Sequence, residues 1–203
     1  MPGVERLQAR FAAAHTQVLG VSVDSKFCHA GWGDALGGIS FPLLADFQPK
    51  GATAKAYGLF LDGPGITDRA TVIIDKDGVV RWVEAVGPGG EREIETLLSH
   101  CEAVDKEHGA GLSAWPKAKG WSGPATLYVK SNCGFSSWTL QARSNLHLES
   151  AITVKNVSED AAAKRELEGK AGKGQAPCLV TGDDVLHESA DIIAKMTAAM
   201  TDI

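Results

Sequence analysis

Cys133 is the residue of this 203-residue chain whose surroundings most plainly suggest a reaction. It stands in YVKSNCGFSSWTLQA, between an apolar run typical of a strand and a stretch with helical character. The free backbone N–H groups and the dipole at a helix start favour a thiolate over a thiol. Lys130, three residues earlier, adds a cation within reach. We therefore expect a lowered Cys133 pKa and a nucleophilic thiolate, against the alternative of an inert buried cysteine.

The remaining metal-binding and thiol residues form no recognisable pattern. Cysteines 28, 101 and 178 are widely scattered, which argues against a zinc knuckle and a disulfide framework. The six histidines show no ligand spacing, so we expect no metal site outside Cys133.

Composition excludes several classes of protein. A net charge of −5 and a pI near 5.7 provide no basic field for a nucleic acid. No apolar run approaches the roughly 20 residues of a membrane span, and MPGVERLQARF has no signal-peptide core. We expect a soluble cytoplasmic protein that binds neither nucleic acid nor membrane.

Hydrophobic patterns predict two α/β domains. The first, 1–107, begins with a helix in VERLQARFAAAH and a strand, TQVLGVSVD, that should be covered on both faces. A hairpin around DKDG and the amphipathic helix EREIETLLSHCEAVDK follow. Gly, Pro and Lys interrupt every pattern in 108–123, which predicts a linker. The second domain, 124–203, has the order βαβαββα, typical of a parallel core with a terminal antiparallel hairpin.

Three segments of the second domain resemble a glutaredoxin, a small thioredoxin-fold protein. They are YVKSNCGFS, QAPCLV and GDDVLHESADI, in the family's order and spacing. The resemblance implies glutathione as co-substrate and a cis-peptide at Pro177 facing Cys133, with the Ala176 backbone pairing with the glutathione cysteinyl unit. It also implies that Glu188 and Ser189 hold the γ-glutamyl end, although Ser189 has the simpler alternative of a helix N-cap. The implied glutathione site comprises Lys130, Phe135, Ala176, Pro177, Glu188 and Ser189.

The CGFS tetrapeptide bears on the mechanism. Ser136 stands where a dithiol enzyme has its second cysteine, so turnover requires an outside thiol such as glutathione. CGFS is also the hallmark of monothiol glutaredoxins that share a [2Fe–2S] cluster between two subunits through the cysteine and glutathione. Those relatives usually carry WP and GG-C-D elements where this chain has KGQAP and HES, which favours turnover over the cluster. A non-enzymatic thiol sensor is a further alternative, and Cys178 is either a resolving thiol or, as we favour, a core residue.

The first domain resembles part of an alkyl-hydroperoxide-reductase-type peroxiredoxin, again a thioredoxin fold. VLGVSVDSKFCHAGWGDALGGISFPLLADF and TDRATVIIDKDGVVRW carry the resemblance, and Arg69 matches the arginine that steadies the peroxide in that family. The loop with the peroxidatic cysteine has no counterpart, so Arg69 is a vestigial peroxide site and peroxidase activity is not expected. We expect two thioredoxin-fold domains, the first incomplete at its N-terminus, from a truncated or degenerate peroxiredoxin–glutaredoxin fusion, with a homodimer as one way to cover the exposed face. Expected substrates are glutathionylated or peroxiredoxin-type disulfides.

Overall fold

The computed structural model describes residues 1–115 and 117–200, which divide into two compact units. The first unit contains Met1–Trp32 and Phe41–Trp115. The second contains Gly33–Ser40 and the described residues from 117 onward. The predicted limits, 1–107 and 124–203 around a linker at 108–123, stay predictions. Pro116 of that linker and residues 201–203 of the predicted second domain lie outside the described residues.

The first part of the chain forms short elements. The helix predicted at 4–15 is divided at Leu7, whose backbone leaves the helical region at ψ 10°. The elements in chain order are α1 (Pro2–Arg6), α2 (Gln8–Ala13), β1 (Gly20–Ser22), α3 (Lys26–Ala35), β2 (Leu43–Ala45), α4 (Ala52–Ala56), β3 (Phe60–Leu61), β4 (Ile66–Thr67), β5 (Ala70–Ile74), β6 (Val80–Ala85) and α5 (Ile94–His108).

The strands of the first unit pair only two by two among the described residues. β1 pairs with β2 in parallel, while β3 with β4 and β5 with β6 are antiparallel. The hairpin predicted around DKDG is confirmed. Asp75 closes its turn by accepting hydrogen bonds from the backbone of Asp77 and Val79, and Gly78 adopts φ +81°.

The prediction that β1 is covered on both faces is wrong. Val21 at its centre is 40% exposed, because within the described chain β1 has a neighbour only in β2. β1 and β5 both line a cleft of about 1240 Å³ in this unit. The apolar run thus predicted the strand correctly but not the burial of its two faces.

The second unit contains the predicted βαβαββα order. Its elements are β7 (Ala125–Val129), α6 (Gly134–Asn145), β8 (Ile152–Asn156), α7 (Ala161–Ala171), β9 (Cys178–Thr181), β10 (Asp184–His187) and α8 (Ser189–Met200). They form one four-stranded sheet in the order β10-β9-β7-β8. β7 and β8 are parallel, and β9 and β10 form an antiparallel hairpin, as the pattern predicted.

Side chains of β7 are buried on both faces of this sheet. Leu127 and Val129 belong to a cluster that also contains Ile192 and Met196 of α8. Tyr128, between them in sequence, belongs to a second cluster with Leu167 of α7. Because alternate side chains of a strand point to opposite faces, the central strand is fixed from both sides. The end of β7, where Cys133 follows, is therefore held by the core.

The described residues contain no helix that is both long and apolar enough to cross a bilayer.

Candidate functional site

Cys133 lies at the N-cap of α6, immediately beyond the central strand β7. Its backbone is extended, with φ −108° and ψ 114°, and the preceding Asn132 adopts the left-handed conformation at φ +56°. The Cys133 carbonyl accepts a hydrogen bond from the Ser137 N–H at 2.9 Å, which begins the helix. The thiol is partly exposed, so it is open to a reactant.

The pKa of Cys133 is lowered from the ordinary value of a thiol. The main cause is a hydrogen bond from the Ser136 backbone N–H, followed by one from the Ser136 hydroxyl. The Phe135 N–H and the charge of Lys130 contribute less, and the modest burial of the sulfur acts in the opposite direction. These groups stabilise the thiolate, which is the nucleophilic form.

Ser136 is the functional residue whose contribution the sequence analysis missed. Its side chain is 1% exposed, and its Oγ accepts the Lys130 N–H at 3.0 Å, which aims the hydroxyl proton at the thiolate. One signal was available in the sequence, because an N-cap side chain normally accepts from the N–H three residues later. With Cys133 as N-cap, that donor belongs to Ser136.

Pro177 lies on the β9 side of Cys133. The Ala176–Pro177 bond is cis, as predicted. Cys178 pairs with Tyr128 in the β7–β9 register, which places Ala176 and Pro177 at the edge of the sheet where β7 ends. Pro177 is buried and Ala176 is partly exposed.

Glu188 and Ser189 follow β10 at the same edge of the sheet. The Glu188 carbonyl accepts from the Ile192 N–H at 3.0 Å, so Glu188 is the N-cap of α8 and Ser189 is its first residue. The simple N-cap alternative for Ser189 is therefore wrong by one position. Glu188 adopts φ +66°, and its exposed carboxylate accepts from the Gln175 amide at 3.0 Å.

A cleft of about 380 Å³ opens on the other side of Cys133, towards β8. Of the predicted glutathione-site residues, only Lys130 lines it. Its lining comprises Val129, Lys130, Ser131, Asn132, Cys133, Gly134, Ser137, Leu140 and Asn156. The cleft thus gives access to Cys133 from the β8 side.

Phe135 forms an exposed aromatic pair beside the thiol. It meets Trp138 edge to face, with ring centroids 5.4 Å apart, and the two residues are 58% and 48% exposed. Such a pair offers apolar contact area at the mouth of the site.

The other three thiols have raised pKa values. Cys178 is 0% exposed in the cluster under α7, and burial raises its pKa to about 11. This favours the core role over that of a resolving thiol. The pKa of Cys28 is raised chiefly by the charge of Asp24, and that of Cys101 by burial.

Arg69 is exposed and lines the cleft of the first unit. Cys28 and Cys101 line the same cleft, but both are held towards the thiol form. Among the described residues, the first unit therefore has no cysteine with a lowered pKa to act with Arg69.

The first part of the chain has recognisable relatives. The sequence model of the AhpC/TSA family matches residues 1–83. Alkyl hydroperoxide reductase E of Mycobacterium tuberculosis is 40% identical over 75 residues, 37% of this chain and 48% of that protein. The N-terminal region is an AhpC/TSA peroxiredoxin-type domain. A putative peroxiredoxin of Entamoeba histolytica is 34% identical over 118 residues, 54% of this chain and 50% of that protein.

The chain spans about half the length of these curated peroxiredoxin-type relatives. The crystal structure of Enterococcus faecalis AhpC is similar with a TM-score of 0.49 and 30% identity, over 55% of this chain and 69% of that one. The AhpC/TSA match supports a thioredoxin-like peroxiredoxin fold in this region. The family match ends at residue 83, so the glutaredoxin likeness of 124–200 depends on its motifs and geometry.

Proposed function

We propose that this chain is a glutathione-dependent thiol–disulfide oxidoreductase that acts through Cys133. The observation that carries the proposal is the lowered pKa of Cys133, at a partly exposed helix start, while the other three cysteines have raised values. A nucleophilic thiol must be both ionised and accessible, and Cys133 meets both conditions.

The reaction follows a monothiol course. The Cys133 thiolate attacks the glutathione sulfur of a glutathionylated substrate, and the substrate leaves as a thiolate that takes up a proton. A second glutathione thiolate then attacks the glutathione sulfur bound to Cys133, so that oxidised glutathione leaves and the Cys133 thiolate is restored. Ser136 has no thiol with which to compete, and it stabilises the thiolate at both ends of the cycle.

Glutathione is proposed to bind on the β9–β10 side. The Ala176 backbone beside cis-Pro177 pairs with its cysteinyl unit, while the Ser189 hydroxyl and the first N–H groups of α8 donate hydrogen bonds to the γ-glutamyl carboxylate. The Glu188 carboxylate accepts hydrogen bonds from the γ-glutamyl ammonium group. Its hydrogen bond from the Gln175 amide is then shared with the ammonium or broken. Lys130 and Phe135 complete the site next to the sulfur.

The peroxiredoxin-type domain gives this activity a context. A disulfide formed when a peroxiredoxin reduces peroxide is a substrate that a thiolate with glutathione can reduce. Tethering two such domains raises their effective concentration for each other. We therefore place the chain in a peroxide-detoxification system, with glutathione as co-substrate and cytoplasm as the expected location.

The test compares the parent protein with Cys133→Ser and with Cys28→Ser as a matched control. We expect the parent and the control to reduce the mixed disulfide of glutathione and 2-mercaptoethanol, and Cys133→Ser to lose the activity entirely. A negligible rate in the parent protein would contradict the proposal. Peroxide consumption that survives Cys133→Ser would instead place the chemistry in the first unit.

The same thiolate serves the alternative of a [2Fe–2S] cluster shared by two subunits through Cys133 and glutathione. Anaerobic reconstitution with iron, sulfide and glutathione tests it. A visible absorption band together with dimerisation, both lost in Cys133→Ser, would favour the cluster over turnover.

A further inference from the structure

The cleft beside Cys133 shares only Lys130 with the residues proposed to bind glutathione. In the sheet order β10-β9-β7-β8, the strand that ends at Cys133 lies between β8 and β9. Four of the residues proposed for glutathione, at positions 176, 177, 188 and 189, lie on the β9–β10 side, whereas the cleft reaches Asn156 at the end of β8. Two reactants can therefore approach the sulfur from opposite sides.

The geometry of thiol–disulfide exchange assigns different sides of Cys133 to the attacking and the leaving sulfur. In thiol–disulfide exchange the attacking, attacked and leaving sulfurs pass through a nearly linear arrangement. A glutathione thiolate that attacks Cys133 Sγ from the β9 side expels a group that lies on the β8 side. The cleft is in the position of that leaving group.

We propose that the β8-side cleft binds the polypeptide around a substrate cysteine while that cysteine is joined to Cys133 in a mixed disulfide. This rests on the proposed glutathione-dependent function and extends it to protein disulfides. The occupant is an extended peptide segment with an acidic residue near its cysteine.

The lining of the cleft matches a peptide. Val129 and Leu140 provide an apolar floor. The side chains of Asn132 and Ser137 are exposed and have no hydrogen-bond partner among the described residues, so they are available to the N–H and C=O groups of a peptide. Asn156 is different, because its amide donates to Ser131 Oγ at 2.8 Å and fixes the rim.

Lys130 supplies the charge preference. Its side chain is exposed at the cleft, and within the described chain its ammonium has no carboxylate partner. An acidic residue beside the substrate cysteine would pair with it, and a basic residue would be repelled. Because the ammonium is exposed, the preference is modest and sensitive to salt.

The steps balance in atoms and electrons. The Cys133 thiolate attacks one sulfur of a protein disulfide, which forms the mixed disulfide and releases the other cysteine as a thiolate. Glutathione attacks Cys133 Sγ, releases the second substrate cysteine and remains as a Cys133–glutathione disulfide. A further glutathione regenerates Cys133, so two glutathiones are oxidised for each disulfide reduced.

The test fills the cleft with Ser137→Phe. Ser137→Ala serves as the conservative control, and Ala161→Phe, at an exposed position of α7, as the bulky control. Each protein reduces two probes, a peptide with one internal disulfide flanked by glutamate and the mixed disulfide of glutathione and 2-mercaptoethanol. We expect Ser137→Phe to lower kcat/KM for the peptide about tenfold or more and to leave the small probe within about twofold. Ala161→Phe should keep the parent rates on both probes, and Ser137→Ala should keep the parent rate on the small probe and lose far less than Ser137→Phe on the peptide.

The outcomes separate this inference from the proposed function. If the parent reduces the small probe but not the peptide, the inference fails and the function stands. If the parent reduces neither probe, the function fails and the inference falls with it. Equal losses on both probes in Ser137→Phe would overturn the inference, because the change would then act on Cys133 itself.

A second peptide, with lysine in place of glutamate, tests the charge preference. We expect the acidic peptide to react about threefold faster at low salt and the difference to vanish at high salt. Equal rates at low salt would overturn the acidic assignment of the occupant.

Discussion

Cys28 and Cys133 occupy similar places in the two units but have opposite chemistry. Each follows a strand and lies at a helix start, Cys28 in the first turn of α3 and Cys133 at the N-cap of α6. Cys133 accepts hydrogen bonds from Ser136 and lies near Lys130, and its pKa is lowered. Cys28 donates its proton towards Asp24 Oδ1 at 3.7 Å, and its pKa is raised.

The comparison shows that a strand-to-helix junction does not activate a cysteine by itself. A donor that faces the sulfur stabilises the thiolate, and a carboxylate at the same place stabilises the thiol. At Cys28 the helix start is outweighed by one acidic neighbour. At Cys133 the groups that act on the sulfur by hydrogen bond or charge, from Ser136, Phe135 and Lys130, all favour the anion.

The supports of the two junctions differ as well. β7 is buried on both faces and lies in the middle of a four-stranded sheet. β1 has three residues and pairs with β2 alone among the described strands. A reactive group needs fixed partners, and the second unit provides the firmer frame for them.

The largest expected effect is the difference in reactivity between the two exposed thiols. At pH 7 we expect iodoacetamide to alkylate Cys133 about tenfold or more faster than Cys28, because only Cys133 has a lowered pKa. Peptide mass spectrometry after timed quenching measures both rates in one sample. Cys101 and Cys178 should stay unmodified until the protein unfolds. Faster labelling of Cys28 would reverse the comparison.

Ser136→Ala should come next in size. The variant loses the hydroxyl donor but keeps the backbone N–H, so the pKa of Cys133 rises part of the way back. Fewer molecules then carry the thiolate at pH 7, and the alkylation rate should fall about threefold or more. The rate is followed from pH 5 to 10, and thermal unfolding of the variant checks that the buried site is intact. An unchanged pH profile would mean that Ser136 acts only on the fold.

Asp24→Asn should weaken the contrast from the other side. The substitution removes the charge that raises the pKa of Cys28, so more thiolate forms at neutral pH. We expect Cys28 to react about twofold to threefold faster, with Cys133 as the internal control in the same sample. Slower labelling of Cys28 would show that the carboxylate has another role there.

Lys130→Gln should have the smallest effect. The Lys130 charge is the weakest of the contributions that lower the Cys133 pKa, and the side chain is exposed. We expect a decrease of about twofold in the alkylation rate of Cys133 at low salt, which disappears as salt screens the charge in the parent. A larger decrease in the alkylation rate than in Ser136→Ala would show that the Lys130 charge lowers the Cys133 pKa more than the Ser136 hydroxyl does.

The local order of elements was accessible from the sequence, most fully in the second unit. The alternating strands and helices of the second unit follow from hydrophobic patterns, and its cis bond at Pro177 follows from the resemblance. In the first unit, the DKDG hairpin follows from its turn residues. All three are present in the structure. The break at Leu7 and the short β3–β4 pair were not foreseen, because a few residues carry little periodic signal.

The amino-acid sequence by itself determined that Cys133 is the candidate nucleophile and that Ser136 stands where a resolving thiol would be, since both follow from residue types and spacing. Only the tertiary structure decided how each thiol ionises. Ser136 donates hydrogen bonds to Cys133, and Asp24 accepts one from Cys28. Cys178 is buried in the cluster that contains Leu167 of α7. The reason is physical: a pKa depends on the direction and burial of groups around the sulfur, and these depend on packing between segments far apart in the chain.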